Sequence, residues 1–540
     1  MALHGHPIVI RNARLIDGSG RDARHTDVLV SGGRIARIGS LPGSVSGEEL
    51  DLEGLTLAPG FIDLHTHSDV ALLQDGRAEN QLMQGVTLEV VGNCGHSCAP
   101  LARAGDARGL TLGPQLESEP CWRAFDEYLE ALAASRLGVN VAALVGHGAL
   151  RTECMDSPQR PAAAGEVRSM CASLENALEG GAIGLSTGLE YVPGMHANTD
   201  ELSALCHVVA RHGGLYATHV RNRDVKYELG LGEALATARA SGVRLQVSHM
   251  TPKYGAPVHA AEHMLEMIQW SRDEGIDAAY DVIPHNWGPT AMASVLPAWV
   301  FEGGPGKVPE RLRDPVQRDA IRRAPNPIWR LVTEQRWEDI VLFGCEANPD
   351  LAGVTLQEIG KIRAADPFDC ILDLLAEEGD GFRGVTWAGR NFSDADTVTL
   401  LGPSHAGVIS DSIAMTRDGP LGRLRWSPST FGWAARFIQH CAGGAGWMPL
   451  PEAIRRLTRL PAERLGLRDR GGIFEGAWAD LVAFDPVAVV DRSTLAEPDR
   501  PPAGFRHVLV NGELALRDGS LTERRCGTVV RGASSGELHA

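Results

Sequence analysis

Residues 58–69 read APGFIDLHTHSD, an apolar run that ends in a histidine pair, His65 and His67. In an extended strand residues i and i+2 face the same side, so both imidazoles can reach one ion. Taken alone, a His-x-His pair is more often structural or simply polar. Two things raise its weight here: the nearby carboxylates Asp63 and Asp69, and a series of similar strand ends further along the chain.

That series runs GFIDLHTH (60–67), TLEVVGNCG (87–95), VAALVGHG (141–148), AIGLSTG (182–188), LYATHV (215–220), LQVSHM (245–250), DAAYDVIP (277–284) and GVISDS (407–412). Helical patterns such as MCASLENALEGG, LSALCHVVARHGG, LGEALATARASG and AEHMLEMIQWSRDEG lie between several of them, each closing near glycine. Short apolar strands alternating with helices predict an α/β fold, a (β/α)8 TIM barrel. The stretch from about 288 to 360 breaks the alternation with Pro, Trp and charge and is expected to be an insertion or lid over one face. At the two ends, IVIRNARLIDGSG, DVLVSGGRIARIG and LDLEGLTLAPG match GGIFEGAWADLVAFD and FRHVLVNGELALRDG in period-two texture. This predicts a small discontinuous β-sandwich built from both termini, with residues 1–57 and 469–540 flanking a barrel over 58–468. Two unrelated edge sheets are the plainer alternative.

In a parallel barrel the active site forms at the C-terminal ends of the strands. Cys94, His219, His249 and Asp411 each follow one of the apolar runs and therefore belong on that face. Singly, Cys94 reads as a buried thiol, either histidine as a hydrogen-bonded core residue, and Asp411 as a turn cap. Together with His65 and His67 they read as a metal site. Imidazole, thiolate and carboxylate are zinc ligands, and a carboxylate can also accept a proton.

Bulk properties fit an enzyme of this kind. The chain has 540 residues, enough for two structural units, with 62 glycines and only 5% aromatic residues. A net charge of −17 without any basic run argues against nucleic acid or an anionic membrane as partner. No apolar stretch approaches the ~20 residues needed to span a bilayer, and the first residues do not resemble a signal peptide. Ten scattered cysteines suit reduced thiols and a cytoplasmic location. The expected partner is a small-molecule substrate; a homo-oligomer is left open.

The motifs APGFIDLHTHSD, GNCGHSCAP, LVGHGALR, GAIGLSTGLEYVPG, YATHVRNR and VSHMTP, with the tail LTRLPAERLGLRDRGGIFEGAWADLVAFDP, resemble in order those of the amidohydrolase superfamily. Within it they are most similar to the N-acyl-D-amino-acid deacylase (D-aminoacylase) family. The resemblance implies a barrel with a terminal β-sandwich and a cysteine, Cys94, where dinuclear relatives commonly carry a carboxylated lysine. It implies a tight zinc site of Cys94, His219 and His249, and a second, partly filled site of His65, His67 and Asp411. Asp411 matches the family's catalytic aspartate, and Tyr191 a tyrosine beside the substrate.

Two stretches depart from the family. An HPR-like triplet whose arginine grips the substrate α-carboxylate is replaced by RWSPSTFGW, leaving Ser427 and Ser429 in its place. The usual Tyr-Pro-Tyr reads Ile283, Pro284, His285. Serine lacks the charge and fork of arginine, so a substitute cation is expected from Arg417, Arg423 or Arg425. The substrate shell is thus expected to hold Tyr191, His147, His285, Arg417 and Ser429.

The implied reaction is metal-assisted hydrolysis of a linear amide, an N-acyl amino acid or related N-acyl compound. Asp411 takes a proton from water and returns it to the leaving nitrogen; His147 or Tyr191 stabilises the oxyanion, His147 reading equally well as a structural strand-end residue. A cyclic amidase, dipeptidase or deaminase working through the same metal is the alternative, and a non-catalytic scaffold the third. No GxSxG elbow supplies a serine nucleophile.

Overall fold

The computed structural model describes residues 6–43, 45–101, 122–326, 329–442 and 446–532; the Ser/Gly tail after 532 lies outside them. Five strands precede the histidine pair: β1 (Ile8–Leu15), β2 (Arg24–Ser31), β3 (Arg34–Ile38), β4 (Glu48–Asp51) and β5 (Thr56–Pro59). In β2, Val28 and Val30 are buried while Arg24 and Ser31 are exposed, the period-two signature of a sheet with one wet face. Next come β6 (Phe61–Asp63), β7 (Val86–Val91), β8 (Asn140–Ala143), β9 (Val145–Gly146), β10 (Gly184–Gly188), β11 (Leu215–His219), β12 (Arg244–Val247) and β13 (Ala278–Val282). They are followed by β14 (Gly288–Ala291), β15 (Ile340–Gly344), β16 (Thr386–Gly389) and β17 (Ala406–Val408). The last strands are β18 (Leu481–Phe484), β19 (Phe505–Val510), β20 (Glu513–Arg517) and β21 (Ser520–Leu521).

The barrel wall is parallel throughout: β6, β7 and β8 form one run, and β9, β10, β11, β12, β13 and β17 the other. Every residue of β7, β10, β11 and β13 is buried, as expected where a sheet is covered on both faces. Between the two runs the chain passes from β8 to β9 through Leu144, whose N–H donates to Val91 O at 3.0 Å. The ring closes where Thr66 pairs in parallel with Ser412. There His67 N donates to Ser412 O at 2.7 Å and Asp411 N to His65 O at 3.1 Å. Helices at Ala164–Glu179, Thr199–Arg211, Tyr227–Ser241 and Ala260–Asp273 cover the wall. The third stops at Gly242, in the left-handed region at φ +70°, whose N–H reaches Ala238 O.

The terminal strands assemble in one nine-stranded sheet, ordered β21-β20-β19-β18-β5-β1-β2-β3, with β4 added against β1. β18 pairs antiparallel with β5, Leu481 opposite Pro59, so the two ends of the chain meet directly before the histidine strand. The sheet is mixed rather than purely antiparallel, because β1 runs parallel to both β4 and β5.

The segment that breaks the alternation has a sheet of its own, antiparallel in the order β14-β16-β15, and a separate apolar core that includes Val300, Leu312, Leu342, Ile371 and Trp387. Its middle strand is β16, so this unit runs well past the expected end near 360. The two helices that follow, Leu356–Arg363 and Pro367–Glu378, also pack into the insertion.

A buried polar joint fastens the terminal sheet to the barrel. Asp480 carries a charge-assisted bond from Arg470, and also accepts from Asn511 N at 2.8 Å and from Asn140 Nδ2, at the start of β8, at 3.3 Å. Both ionic partners are almost wholly buried. Asp480→Ala leaves the Arg470 guanidinium without its counter-charge, and should destabilise the protein by ~3–5 kcal/mol. A melting curve that does not fall by several degrees would refute the joint.

Candidate metal centre

Three of the sequence-selected residues sit in a backbone conformation that ordinary side chains avoid: Cys94 at φ 52°, His249 at φ 38° and Asp411 at φ 50°. Each stands just past a strand, where a left-handed kink turns the side chain back over the barrel mouth. The Cys94 turn is the tightest. Gly92, at φ +80°, packs so closely that an added Cβ would lie 2.1 Å from Leu144 O, and Asn93 Nδ2 donates to Val90 O at 2.9 Å. Asp63 Oδ1 accepts from both His65 N and Ser410 N, at 3.3 and 3.2 Å, and so fixes the histidine strand against the Asp411 loop.

The kinks bring six side chains together. Cys94 Sγ lies 3.3 Å from His65 Nε2, 3.5 Å from His249 Nε2 and 3.6 Å from His219 Nδ1. Asp411 Oδ1 lies 3.2 Å from His67 Nε2 and 3.4 Å from His65 Nε2. Donor atoms converge in two overlapping groups, His65–Cys94–His249 and His65–His67–Asp411. His65 therefore stands between the two expected half-sites instead of belonging to one, and the sulfur lies with the His65, His219 and His249 group.

Burial dominates the electrostatics. It lowers His65 to about 3 and His219 to about 4, and drives His249 well down, so these imidazoles are neutral near pH 7, the form that ligates metal. Burial also pushes the Cys94 thiol well up. Asp411 would be raised by burial too, but its hydrogen bond with His67 and the surrounding imidazoles hold it below the ordinary carboxylate value. Nδ1 of His67 and of His249 lack hydrogen-bond partners. Four imidazoles, a thiol and a carboxylate facing one another without competing donors fit a divalent, borderline-soft cation such as zinc.

A second layer was not singled out from the sequence. His219 Nε2 meets Glu190 Oε2 at 2.8 Å, and Glu190 in turn meets Lys253 Nζ at 2.9 and 3.0 Å. Burial pushes Glu190 up, but Lys253 and His219 outweigh it and hold the carboxyl at about 2. Such a carboxylate orients its histidine toward the ion. Burial lowers Lys253 despite Glu190. Arg223, 5% exposed, lines the same cavity of about 400 Å3. Its Nη1 donates to His249 O, while its Nε has no partner. The sole sequence signal for this layer was its place just after strand ends, in GLEYVPG, THVRNR and SHMTPK.

The expected substrate residues divide. Tyr191 lines the cavity, its ring 4.8 Å from that of His219 and its hydroxyl 3.1 Å from Thr290 Oγ1. The others point elsewhere. His147 Nε2 is bound to Glu201 at 2.7 Å, in a buried cluster with Arg151. His285 Nε2 faces Asp491 at 3.5 Å. Arg417 is held by Glu79 at 2.7 Å, Arg425 donates to Ala496 O, and Arg423 is exposed. Ser429 is buried at the start of the helix Ser429–Ala442, 2.6 Å from Ser427 Oγ. None of the three arginines borders the cavity; Arg223 and Lys253 supply its positive charge instead.

The model of the amidohydrolase family matches residues 48–309 and 317–515. The chain is 31% identical to a D-aminoacylase of Alcaligenes xylosoxydans xylosoxydans over 97% of both chains. It is 33% identical to an N-acyl-D-glutamate deacylase of the same organism, over 94% of this chain and 92% of the relative. Among solved structures it is similar to the N-acyl-D-glutamate deacylase of Bordetella bronchiseptica, which was determined with zinc and a phosphonate mimic of the tetrahedral intermediate. That similarity has a TM-score of 0.81 at 30% identity and covers 98% of this chain and 100% of the other.

Purified protein should carry roughly one zinc equivalent or more, and Cys94→Ala, which removes the sulfur facing His65, His219 and His249, should lose most of it. Elemental mass spectrometry decides; a folded wild-type protein that takes up no zinc would rule the centre out.

Proposed function

The chain belongs to the amidohydrolase family, and from that premise we propose that it is a zinc-dependent hydrolase of linear amides whose substrates are N-acyl amino acids, those of the D series first. The observation that carries this reading is the Cys94-centred cluster, with Asp411 on a cavity that Arg223 and Lys253 also line. No helix among the described residues is long and apolar enough to cross a membrane. The nine described cysteines are unpaired thiols, which favours a reducing compartment such as the cytoplasm.

His65, His67, Cys94, His219, His249 and Asp411 would hold the metal. Zinc at such a site polarises a carbonyl and makes water acidic enough to attack near neutral pH. The protein's own groups do the rest. Asp411, ionised and anchored by the backbone bond to His65 O, holds the proton taken from water at its carboxylate and passes it to the departing nitrogen. Glu190, fixed by Lys253, keeps His219 in one tautomer. Tyr191, on the cavity wall, bounds the reacting amide. Arg223 and Lys253 give the α-carboxylate of the substrate a cationic seat, the task that Ser429, turned into its own helix, does not perform.

Asp411→Asn should reduce kcat by ~10²–10⁴-fold with zinc retained; equal turnover would remove Asp411 from proton transfer. Arg223→Met should raise KM for N-acetyl-D-amino acids by ~10–100-fold, and spare the corresponding decarboxylated amides. A panel of both substrate types, assayed with both enzymes, tests the α-carboxylate seat. Indifference to the carboxylate would overturn it.

A further inference from the structure

The cavity over the metal cluster adjoins a second, of about 510 Å3, across a wall formed by Glu190 and Tyr191, which border both. The second lining joins an apolar side, which includes Val192, Leu296 and Phe301, to polar residues, which include His96, Glu190 and Asn326. Arg383, from the short turn Gly379–Gly384 of the insertion, also lines it, with its guanidinium carbon 5.5 Å from the Phe301 ring and 5.7 Å from the Phe382 ring.

Its surroundings are unusual for this protein. Other arginines of the insertion are committed: Arg311 donates to Val300 O, Arg313 to Ala376 O, Arg318 to Asp373 and Arg363 to Glu377. Among the described residues Arg383 has aromatic faces for company but neither a hydrogen bond nor a counter-charge, and its Nε is buried without a partner. Burial lowers it to about 10, with no acidic neighbour to raise it, so it remains charged at neutral pH. The guanidinium sits beside the two rings, which contact each other with centroids 6.3 Å apart, and the rings leave its donor fork open to an acceptor of matching shape. Carboxylate is that acceptor.

We propose that Arg383 makes this adjoining cavity a receptor for a second carboxylate on the substrate, separated from the scissile amide by a few methylene groups that the apolar lining accommodates. The proposal rests on the N-acyl amino acid reading of the metal centre. With the α-carboxylate seated at Arg223 and Lys253, two arms remain that can carry the second charge: the amino-acid side chain and the acyl chain. Either reaches past Tyr191 from the reacting carbon.

The test uses the zinc-loaded enzyme and two matched pairs: N-acetyl-D-glutamate with N-acetyl-D-glutamine, and N-succinyl-D-leucine with its terminal amide. In wild type, kcat/KM for the charged member of one pair should exceed that of its neutral isostere by at least ~10-fold; which pair does so identifies the arm. In Arg383→Met that ratio should collapse toward one, chiefly through KM, and Arg383→Lys should restore part of it. A wild-type ratio near one in both pairs, or a ratio that Arg383→Met leaves intact, would overturn the proposal. Calorimetric titration with glutarate keeps the two readings apart. If none of the amides is hydrolysed, the assigned reaction fails, while glutarate binding that weakens ~10-fold or more in Arg383→Met would still support the carboxylate receptor. Equal binding, or none to wild type, would overturn it.

Discussion

Closure of the barrel is the constraint on which the centre depends. The first barrel strand and the loop after the last one meet through His67 N to Ser412 O and Asp411 N to His65 O, with Asp63 accepting from both sides. These contacts complete the wall, and the same residues carry the functional side chains. Any opening of the seam separates Asp411 from His65 and His67. In a parallel barrel every backbone group at the seam is buried, so an imperfect closure would strand donors and acceptors away from water. The geometry of the cluster is thus enforced by the need to satisfy the backbone, and it does not rely on side-chain packing alone.

Within that frame, low-dielectric surroundings set the chemistry. Burial alone would leave a thiol protonated, imidazoles neutral and carboxylates reluctant to ionise. The cluster departs from this at two places. Asp411 is kept ionised by the imidazoles around it, and Glu190 by Lys253. Both are acceptors, and both line the cavity. One faces the reacting centre and the other steadies His219 from behind.

The clustering of these six side chains was legible because a barrel strand places whatever follows it at the mouth, so a histidine, cysteine or aspartate after an apolar run can be placed there without coordinates. The same rule failed for His147. It also ends a strand, but its ring turns to Glu201 and Arg151 between the helices. The substitute cation was sought among Arg417, Arg423 and Arg425, near the lost arginine in the chain. Arg223 comes from a different strand end, and nearness in sequence has little bearing on nearness across a barrel. Arg383 was unreadable for another reason. It lies in an insertion that runs past the expected end near 360, because the helices at 356–378 bury their apolar faces in the insertion's own core.

The pairing of β18 with β5 has a consequence for how the molecule is made. During synthesis β5 emerges early, yet one of its edges has no partner until β18 appears, with almost the whole barrel between them in the chain. At ~5–20 residues per second that edge stays open for tens of seconds, next to the strand that will carry His65 and His67. An open apolar edge is a template for pairing with other chains. The nascent protein must therefore pass through a prolonged vulnerable stage, and its yield in the cell is tied to how well chaperones shield an N-terminal half-sheet awaiting its C-terminal complement.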